Sequence, residues 1–270
     1  MNDRFDELFE DSIYLNLKNW LFSYQLRRRH LQPLLAGRAD ERVLDLGCGV
    51  SPIARPAPSV VYVDISFQAL RRLSRKCPEA SFVVADVSRL PFRDSAVSRV
   101  VCSEVLEHVE HDTRTLEEMS RVLRPDGRLL ISVPLHPYYY TFDDRYVGHY
   151  RRYVLRDLLQ ALEVRGFSRL RTRKVAGVLE KAATYVMARS FALLSPQGSR
   201  EGPAAGRGQR WWFLPYKIGN TLWSYVCGLE AKITPLALTT IVSVQGEKAW
   251  WKPDQAARSL TGAAGSRRER

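Results

Sequence analysis

Three aspartates at the ends of apolar segments have the residue type and spacing that could bind a nucleoside. Asp45 begins the string DLGCG, Asp64 follows 19 residues later, and Asp86 ends a third apolar segment. Glycines such as Gly47 and Gly49 let a ligand approach the backbone closely. A carboxylate at the place of Asp64 can accept both hydroxyls of a ribose, and Asp86 could accept a hydrogen bond from an exocyclic amine.

Two alternatives explain these aspartates differently. A dinucleotide site would need the pattern GxGxxG, but Pro52 stands at the third glycine position, and the charge of Asp45 would repel a phosphate. Solvated turn aspartates are the other alternative, which explains one such residue better than three in register. The sequence therefore favours a nucleoside whose other end is not a pyrophosphate.

A sheet with its strand ends along one edge would bring these residues together. Apolar strands separated by helices predict an α/β fold: a Rossmann-like, seven-stranded, mostly parallel sheet with helices on both faces. The predicted strands are residues 41–47, 60–65, 81–86, 99–104, 128–133, 169–175 and 239–245. The predicted helices are residues 15–35, 67–76, 113–123 (stopped by Pro125 and Gly127) and 154–164, with further helices between the last two strands.

Five strings in chain order resemble the motif series of class I S-adenosylmethionine-dependent methyltransferases. They are VLDLGCG (43–49), VDIS (63–66), ADVSRLPF (85–92), SEVLEHV (103–109) and LRPDGRL (123–129). The resemblance covers about residues 15–175 and the last strand, and it implies S-adenosyl-L-methionine as the cofactor. One departure is that Ser51 replaces the third glycine of the family, and only ten residues separate Gly49 from Val60. The first helix is therefore expected to be a stub.

The resemblance also implies which residues contact this cofactor. The implied contacts are Asp45, Gly47, Cys48 and Gly49 at the methionine end, Asp64 and Ile65 at the ribose, Asp86 and Val87 at the adenine, and Ser103 and Glu104 under the sulfonium.

Three histidines are candidate catalytic residues for the acceptor side. His108 follows the fourth strand, His136 lies between two prolines after the fifth, and His149 lies in the string GHYRRY (148–153). Each could instead be structural: His108 as a helix-surface residue, and His136 as part of a packed loop. The tyrosines after His136, Tyr138 and Tyr139, could line a pocket for a sugar, a quinone or a lipid.

The string GHYRRY resembles a segment of a methyltransferase subgroup in glycan and lipid pathways. Because it precedes a helix, Arg151, Arg152 and Tyr153 are expected to bind substrate, with the guanidinium groups suited to phosphate or carboxylate. A salt-bridged helix start is the alternative. No metal is predicted, since no His, Cys, Asp and Glu set has metal-ligand spacing, and the four cysteines show no CxxC pair.

Composition and charge set the remaining expectations. The 270 residues are 45% hydrophobic, which excludes disorder of the whole chain, and the net charge is +12. From Arg171 onward 16 Lys/Arg face 6 Asp/Glu, or +10. This excess, with five of the six tryptophans, favours a membrane surface as partner over nucleic acid. With no signal peptide or spanning run, the chain is expected to be cytoplasmic, and a peripheral position at the membrane is left open.

Five segments are predicted: a helical segment (1–40), a cofactor-binding core (41–176), a helical insert serving as a lid or membrane-interface element (177–236), the last core strand (237–252) and a disordered basic tail (253–270). The expected reaction is methyl transfer to an acceptor near the membrane, in the first place to an oxygen atom of that acceptor. The acceptor is expected to be a small molecule, a lipid-linked glycan, a quinone or another amphiphile. An RNA methyltransferase and a non-catalytic cofactor-binding protein are the alternatives. The sequence leaves the oligomeric state open.

Overall fold

The computed structural model describes residues 19–35, 41–194 and 213–249. Its seven-stranded sheet has the order β3-β2-β1-β4-β5-β7-β6. Strands β1 to β7 are Val43–Leu46, Val60–Asp64, Ser81–Val84, Val97–Ser103, Leu123–Pro134, Phe167–Ala176 and Ile241–Lys248. Helices α1 to α7 of the described residues are Phe22–Leu31, Phe67–Ser74, Asp112–Val122, Phe142–Val147, Leu155–Val164, Val178–Leu194 and Phe213–Ile233.

The sheet confirms the predicted α/β class. Strands β1 to β5 pair in parallel, and β7 runs antiparallel to both β5 and β6. The central strands are apolar on both faces because helices cover both, so Val100, Ile131 and Val133 are buried. All of the parallel strands end at one edge, and the predicted cofactor residues lie along that edge.

Two boundaries differ from the sequence prediction. Helix α3 ends at Val122, and β5 begins at once at Leu123, which pairs with Val97, so the prediction that β5 begins at residue 128 was wrong. Pro125 cannot continue a helix, and the pairing with β4 keeps the chain extended instead. Between β1 and β2, the described residues 47–59 form turns and bends without any helix, which goes further than the expected stub.

Helix α7 packs its small residues inward and leaves its large apolar ones outside. Ser224, Cys227 and Ala231 are buried, and a Cβ on Gly228 would lie 3.3 Å from Leu26 Cδ1 of α1, so the two helices approach closely. The large apolar residues at helical spacing on α7 are solvent-exposed: Ile218, Leu222, Tyr225, Val226, Leu229 and Ile233. We call these six residues the apolar face of α7. The opposite face of α7 packs against β6, where Cys227 clusters with Val175 and Ala176. Whether the insert serves as a lid or as a membrane-interface element stays a prediction.

Helix α6 shows the same tendency, since Val186 and Leu193 are also exposed. Within the described ranges, no helix combines the length and apolar character that crossing a bilayer requires. Trp211, Trp212, Trp250 and Trp251 and the tail 253–270 lie outside the described residues, as do residues 15–18 of the first predicted helix. The division into five segments stays a prediction.

Candidate active site

The loop after β1 is built around two glycines in left-handed conformations. Gly47 has φ +62° and Gly49 has φ +52°, values that glycine adopts without the steric cost paid by other residues. At Gly47 space is also tight, because an added Cβ would lie 2.5 Å from Val105 Cγ2. Cys48, between them, is buried. The loop backbone is therefore fixed in a turn that requires these glycines.

Asp45 fixes the second half of this loop. Its Oδ2 accepts hydrogen bonds from the backbone N–H groups of Ile53 at 2.8 Å and Ala54 at 2.7 Å. Burial raises the pKa of Asp45 to about 7, although these two hydrogen bonds lower it. Asp45 thus organises the segment that replaces the first helix, and its expected contact with a methionine end stays a prediction.

Asp64 ties the loop to the end of β2. Its Oδ2 accepts from Gly49 N at 2.7 Å and its Oδ1 from Ser66 N at 2.9 Å. Ile65 beside it is half-buried. The carboxylate thus lies between the loops after β1 and β2, where the resemblance places a ribose.

Asp86 and Val87 follow β3 at the same edge. The Asp86 carboxylate is exposed and accepts hydrogen bonds from Ser88 N and Ser88 Oγ, a local turn. Val87 is buried. The structure thus places the predicted ribose and adenine residues at neighbouring strand ends, as expected for a parallel sheet.

At the end of β4, Ser103 and Glu104 lie beside β5. Ser103 Oγ and Ser132 Oγ are 2.9 Å apart, and Ser132 Oγ donates to Glu104 Oε1 at 3.1 Å. Glu104 has φ +53°, a strained value for a residue with a side chain. Its Oε2 lies 3.8 Å from Arg27 Nη1 of α1, so the N-terminal helix reaches the methyl-transfer side of the predicted site.

His149 is held by a carboxylate from its own neighbourhood. Helix α4 begins with a capping box of Thr141 and Asp144 and ends at Gly148, whose φ of +85° turns the chain back. His149 Nδ1 then lies 2.8 Å from Asp144 Oδ1, and His149 Nε2 lies 3.8 Å from Glu107 Oε1. The pairing with Asp144 fixes the tautomer with the proton on Nδ1 and leaves the lone pair on Nε2.

Glu107 is fully buried in the short 3-10 helix Leu106–His108 that follows β4. Neither carboxylate oxygen has a hydrogen-bond partner. Burial and the nearby Glu104 raise the pKa of Glu107 well above its ordinary value. Tyr150 N donates to the Glu107 carbonyl at 2.7 Å, which ties this turn to the segment carrying His149.

His108 completes a group that spacing alone did not indicate. The rings of His108 and His149 meet edge to face with centroids 4.6 Å apart. One ligand atom from each of Glu107, His108 and His149 lies within 4.8 Å of the others. The sequence predicted no metal-ligand set, and the absence of a metal stays a prediction. The fold brings Glu107 and His108 together with His149, which is 42 and 41 positions away in the chain.

A buried ion network supports Asp144. Lys181 Nζ of α6 lies 2.6 Å from Asp144 Oδ2 and 2.7 Å from Asp143 Oδ2, and Arg152 Nε lies 2.8 Å from Asp144 Oδ1. Burial alone would raise the pKa of Asp144, but hydrogen bonds from His149 and Lys181 outweigh it, so the pKa lies well below its ordinary value. Asp144 therefore stays ionised.

The other predicted acceptor-side residues contact protein groups. His136 Nε2 lies 3.0 Å from the Leu236 carbonyl and stacks on Tyr138, whose hydroxyl donates to the Ala237 carbonyl, and Tyr139 is half-buried beside them. These contacts of His136 include neither His108 nor His149. His136, Tyr138 and Tyr139 connect β5 to the turn Leu236–Leu238.

The two arginines of GHYRRY also have protein partners. Arg151 lies 3.2 Å from Asp112 Oδ1, Tyr153 Oη donates to Asp112 Oδ2 at 2.8 Å, and buried Arg152 pairs with Asp144. These contacts match the salt-bridged alternative, while substrate binding by Arg151, Arg152 and Tyr153 stays a prediction.

Sequence reasoning missed Arg27, Glu107, Asp144 and Lys181. The available signals were weak ones: an adjacent charged pair, Glu180–Lys181, in a mostly apolar helix, and a Thr-x-x-Asp capping pattern at residues 141–144.

Comparison with known proteins gives a family match for the core. Residues 44–131 match the family model described as a methyltransferase domain. A demethylmenaquinone methyltransferase of Beutenbergia cavernae is 34% identical over 142 residues, which are 51% of this chain and 59% of that protein. A probable S-adenosylmethionine-dependent methyltransferase of Mycobacterium tuberculosis is 32% identical over 125 residues, 44% of each chain. The chain spans 45% to 59% of the length of the first four curated relatives it matches.

Solved structures share the fold at low sequence identity. The methyltransferase in complex with the Haloferax volcanii Trm112 activator has a TM-score of 0.60 and 16% identity, and the match covers 93% of this chain and all of that one. Phosphoethanolamine N-methyltransferase 2 of Haemonchus contortus, solved with S-adenosyl-L-methionine, has a TM-score of 0.56 and 17% identity, over 91% of this chain and 60% of that one. This likeness shows the fold.

Proposed function

We propose that this protein, in which residues 44–131 form a class I S-adenosylmethionine-dependent methyltransferase domain with S-adenosylmethionine as its cofactor, methylates a hydroxyl oxygen of an amphiphile at a membrane surface. The acceptor class is a reduced quinone or a lipid-linked glycan. The demethylmenaquinone methyltransferases among the relatives support a quinone as acceptor but not oxygen as the atom methylated, since menaquinone carries its methyl group on a ring carbon. Identity to them covers only about half of this chain.

The described residues fit the cofactor along the strand ends. The turn carries no side chain of its own at Gly47 and Gly49, and the Asp64 carboxylate lies between two loops where it can accept hydrogen bonds from ribose hydroxyls. When bound, the cofactor supplies an electrophilic methyl group on a sulfonium, which becomes a neutral thioether as the methyl carbon bonds to the acceptor oxygen. The protein gains rate mainly by holding that oxygen in line.

The acceptor hydroxyl must lose its proton during this transfer. Glu107 and His149 face one another beyond β4, next to Ser103 and Glu104, and both can either take a proton or bind a cation that acidifies the hydroxyl. These two residues support proton removal from a hydroxyl on the acceptor side of the sheet edge.

The apolar face of α7 is the observation that most supports an amphiphilic acceptor at a membrane surface. Its six large residues are exposed on one helix, and each would gain about 1.5–3 kcal/mol if fully buried in an apolar phase. Lys217 lies over the Trp20 ring at 4.6 Å beside this face, a cation and an aromatic side chain of the kind that anchors proteins at bilayer interfaces. The turn Leu236–Leu238 follows the helix and contacts His136 and Tyr138.

Methyl transfer from a radiolabelled donor into a cell extract tests the proposal. Label in the organic-soluble fraction is the expected result. Label in RNA would overturn the proposal in favour of an RNA methyltransferase, and donor binding without any transfer would favour a non-catalytic protein.

Variants of the apolar face test the membrane part. Leu222→Asp combined with Leu229→Asp should abolish co-sedimentation with anionic vesicles and transfer to vesicle-embedded acceptors, while donor binding and melting temperature stay unchanged. Val164→Asp is the matched control, because Val164 is 78% exposed but lies on α5. Unchanged vesicle binding in the double variant would contradict the proposal.

A further inference from the structure

We propose that Glu107, His108 and His149 bind one divalent cation of the first transition row, such as Zn²⁺, Mn²⁺ or Fe²⁺, and that this cation holds the hydroxyl oxygen of the methyl acceptor. The cation site stands on its own geometry. The identity of the oxygen ligand rests on the function proposed above.

The buried carboxylate of Glu107 favours a bound cation. A fully buried carboxylate without a hydrogen-bond partner is costly, and such groups in proteins are usually paired or coordinate a metal. Its carboxylate lies 3.8 Å from His149 Nε2. Two ligands bound to one zinc-sized ion at ordinary bond lengths lie about 3–4 Å apart, so this pair is already at coordination spacing.

The orientation of the His149 ring also favours a bound cation. Metal-binding histidines commonly give their other ring N–H to a carboxylate, which fixes the tautomer and strengthens the ligand. Asp144 Oδ1 lies 2.8 Å from His149 Nδ1, and Lys181 and Arg152 in turn form ion pairs with Asp144. The lone pair of Nε2 is therefore held on the side where Glu107 lies.

The balance of charged side chains around these residues is consistent with a bound cation. In the described part of the chain, the network that joins these residues contains five carboxylates: Glu104, Glu107, Asp143, Asp144 and Glu180. Three permanent cations face them, namely Arg27, Arg152 and Lys181. With all five ionised, this buried cluster would carry two more negative than positive charges, a state that burial opposes and that a divalent cation would balance.

Two histidines and one carboxylate leave coordination positions open for water or substrate. An acceptor hydroxyl bound there would lose its proton to water at neutral pH, because the cation lowers the pKa of a bound hydroxyl. The oxygen would then be held as an anion beside Ser103 and Glu104, where the resemblance places the sulfonium.

Cation binding to the full chain tests the site without methyl transfer. Protein freed of metal with a chelator is titrated with Mn²⁺ by electron paramagnetic resonance, and Zn²⁺ is added as competitor. We expect one Mn²⁺ per chain, displaced by Zn²⁺. Glu107→Gln and His149→Gln should each weaken affinity by about 100-fold or more, because each removes a direct ligand.

Matched controls are Glu117→Gln and His111→Gln, which change exposed residues of the same types on or next to α3. Both should bind Mn²⁺ like the unchanged protein. Glu107→Gln removes a buried charge and should keep its melting temperature, which separates a lost ligand from a lost fold. Absence of binding at millimolar Mn²⁺, or binding unaffected by Glu107→Gln, would overturn the inference. Either result would leave donor binding and methyl transfer, the tests of the proposed function, open to separate measurement.

Discussion

The carboxylates at the two halves of the sheet edge differ in the groups that surround them. At the donor half, which comprises the ends of β1, β2 and β3, Asp45 and Asp64 accept hydrogen bonds from backbone N–H groups within 15 residues. The acceptor half lies beyond β4 and β5. There Asp144 forms ion pairs with Arg152, in the segment before α5, and with Lys181 of α6, while the carboxylate of Glu107 has no hydrogen-bond partner. The donor half therefore depends on loop conformation, and the acceptor half on long-range charge balance.

Lys181→Met should give the largest effect and tests the acceptor half. It would leave Asp143 and Asp144 buried without their shared cation, and breaking a buried ion pair costs about 3–5 kcal/mol. Urea unfolding measures the loss. Lys232→Met, an exposed lysine, is the control and should change stability by less than about 0.5 kcal/mol. A loss below about 1 kcal/mol in Lys181→Met would mean that charge balance does not organise this half.

Gly47→Ala tests the donor half. The alanine Cβ would meet Val105 and adopt a left-handed φ, so we expect a loss of about 2–4 kcal/mol together with loss of donor binding. Gly166→Ala is the matched control, since Gly166 has φ +81° but no atom within 4 Å of the added Cβ. It should cost about 1 kcal/mol and leave donor affinity unchanged. Equal losses in both variants would refute the role assigned to the contact with Val105.

Asp64→Asn should weaken donor binding by about 10–100-fold, equivalent to about 1.4–2.8 kcal/mol. The amide cannot accept from Gly49 N, Ser66 N and a ribose as a carboxylate does. Calorimetric titration with the donor measures the change, and Asp157→Asn on the exposed surface of α5 is the control. Donor affinity retained in Asp64→Asn would show that the ribose contact lies elsewhere.

Asp45 should make the donor-free protein less stable as pH rises. Its pKa is about 7 in the folded chain against an ordinary pKa of about 4, so between these values the folded state holds a proton that the unfolded state releases. Stability should then fall by at most about 1.4 kcal/mol per pH unit between pH 4 and 7. Melting temperatures measure this slope. The difference between the unchanged protein and Asp45→Asn isolates it, and parallel curves would contradict the prediction.

The donor half was predictable from sequence because its contacts are local. Residues 45–49 and Asp64 are close in the chain, each follows a strong apolar strand, and a parallel sheet brings their ends together. Even here the helix between β1 and β2 could only be predicted as short, since its absence depends on Asp45 and on Tyr24, whose hydroxyl donates to the Pro52 carbonyl at 2.8 Å.

The acceptor half could not be read from spacing. Arg27, Glu107, Asp144, His149 and Lys181 come from segments up to 154 positions apart, and tertiary packing alone decides that they meet. The apolar face of α7 shows a related limit. Helical periodicity located the stripe, but whether it faces inward depends on how closely α1 approaches, which the small residues Ser224, Cys227 and Gly228 permit.

Donor binding and methyl transfer measured together on Asp64→Asn and Glu107→Gln test the two-part site most directly. In the proposed function the donor half binds the cofactor and the acceptor half activates the hydroxyl, so Asp64→Asn should lose donor affinity and transfer together. Glu107→Gln should keep donor affinity within about twofold and lose transfer by about 100-fold or more. Loss of donor binding in Glu107→Gln, or full transfer activity in that variant, would contradict the account.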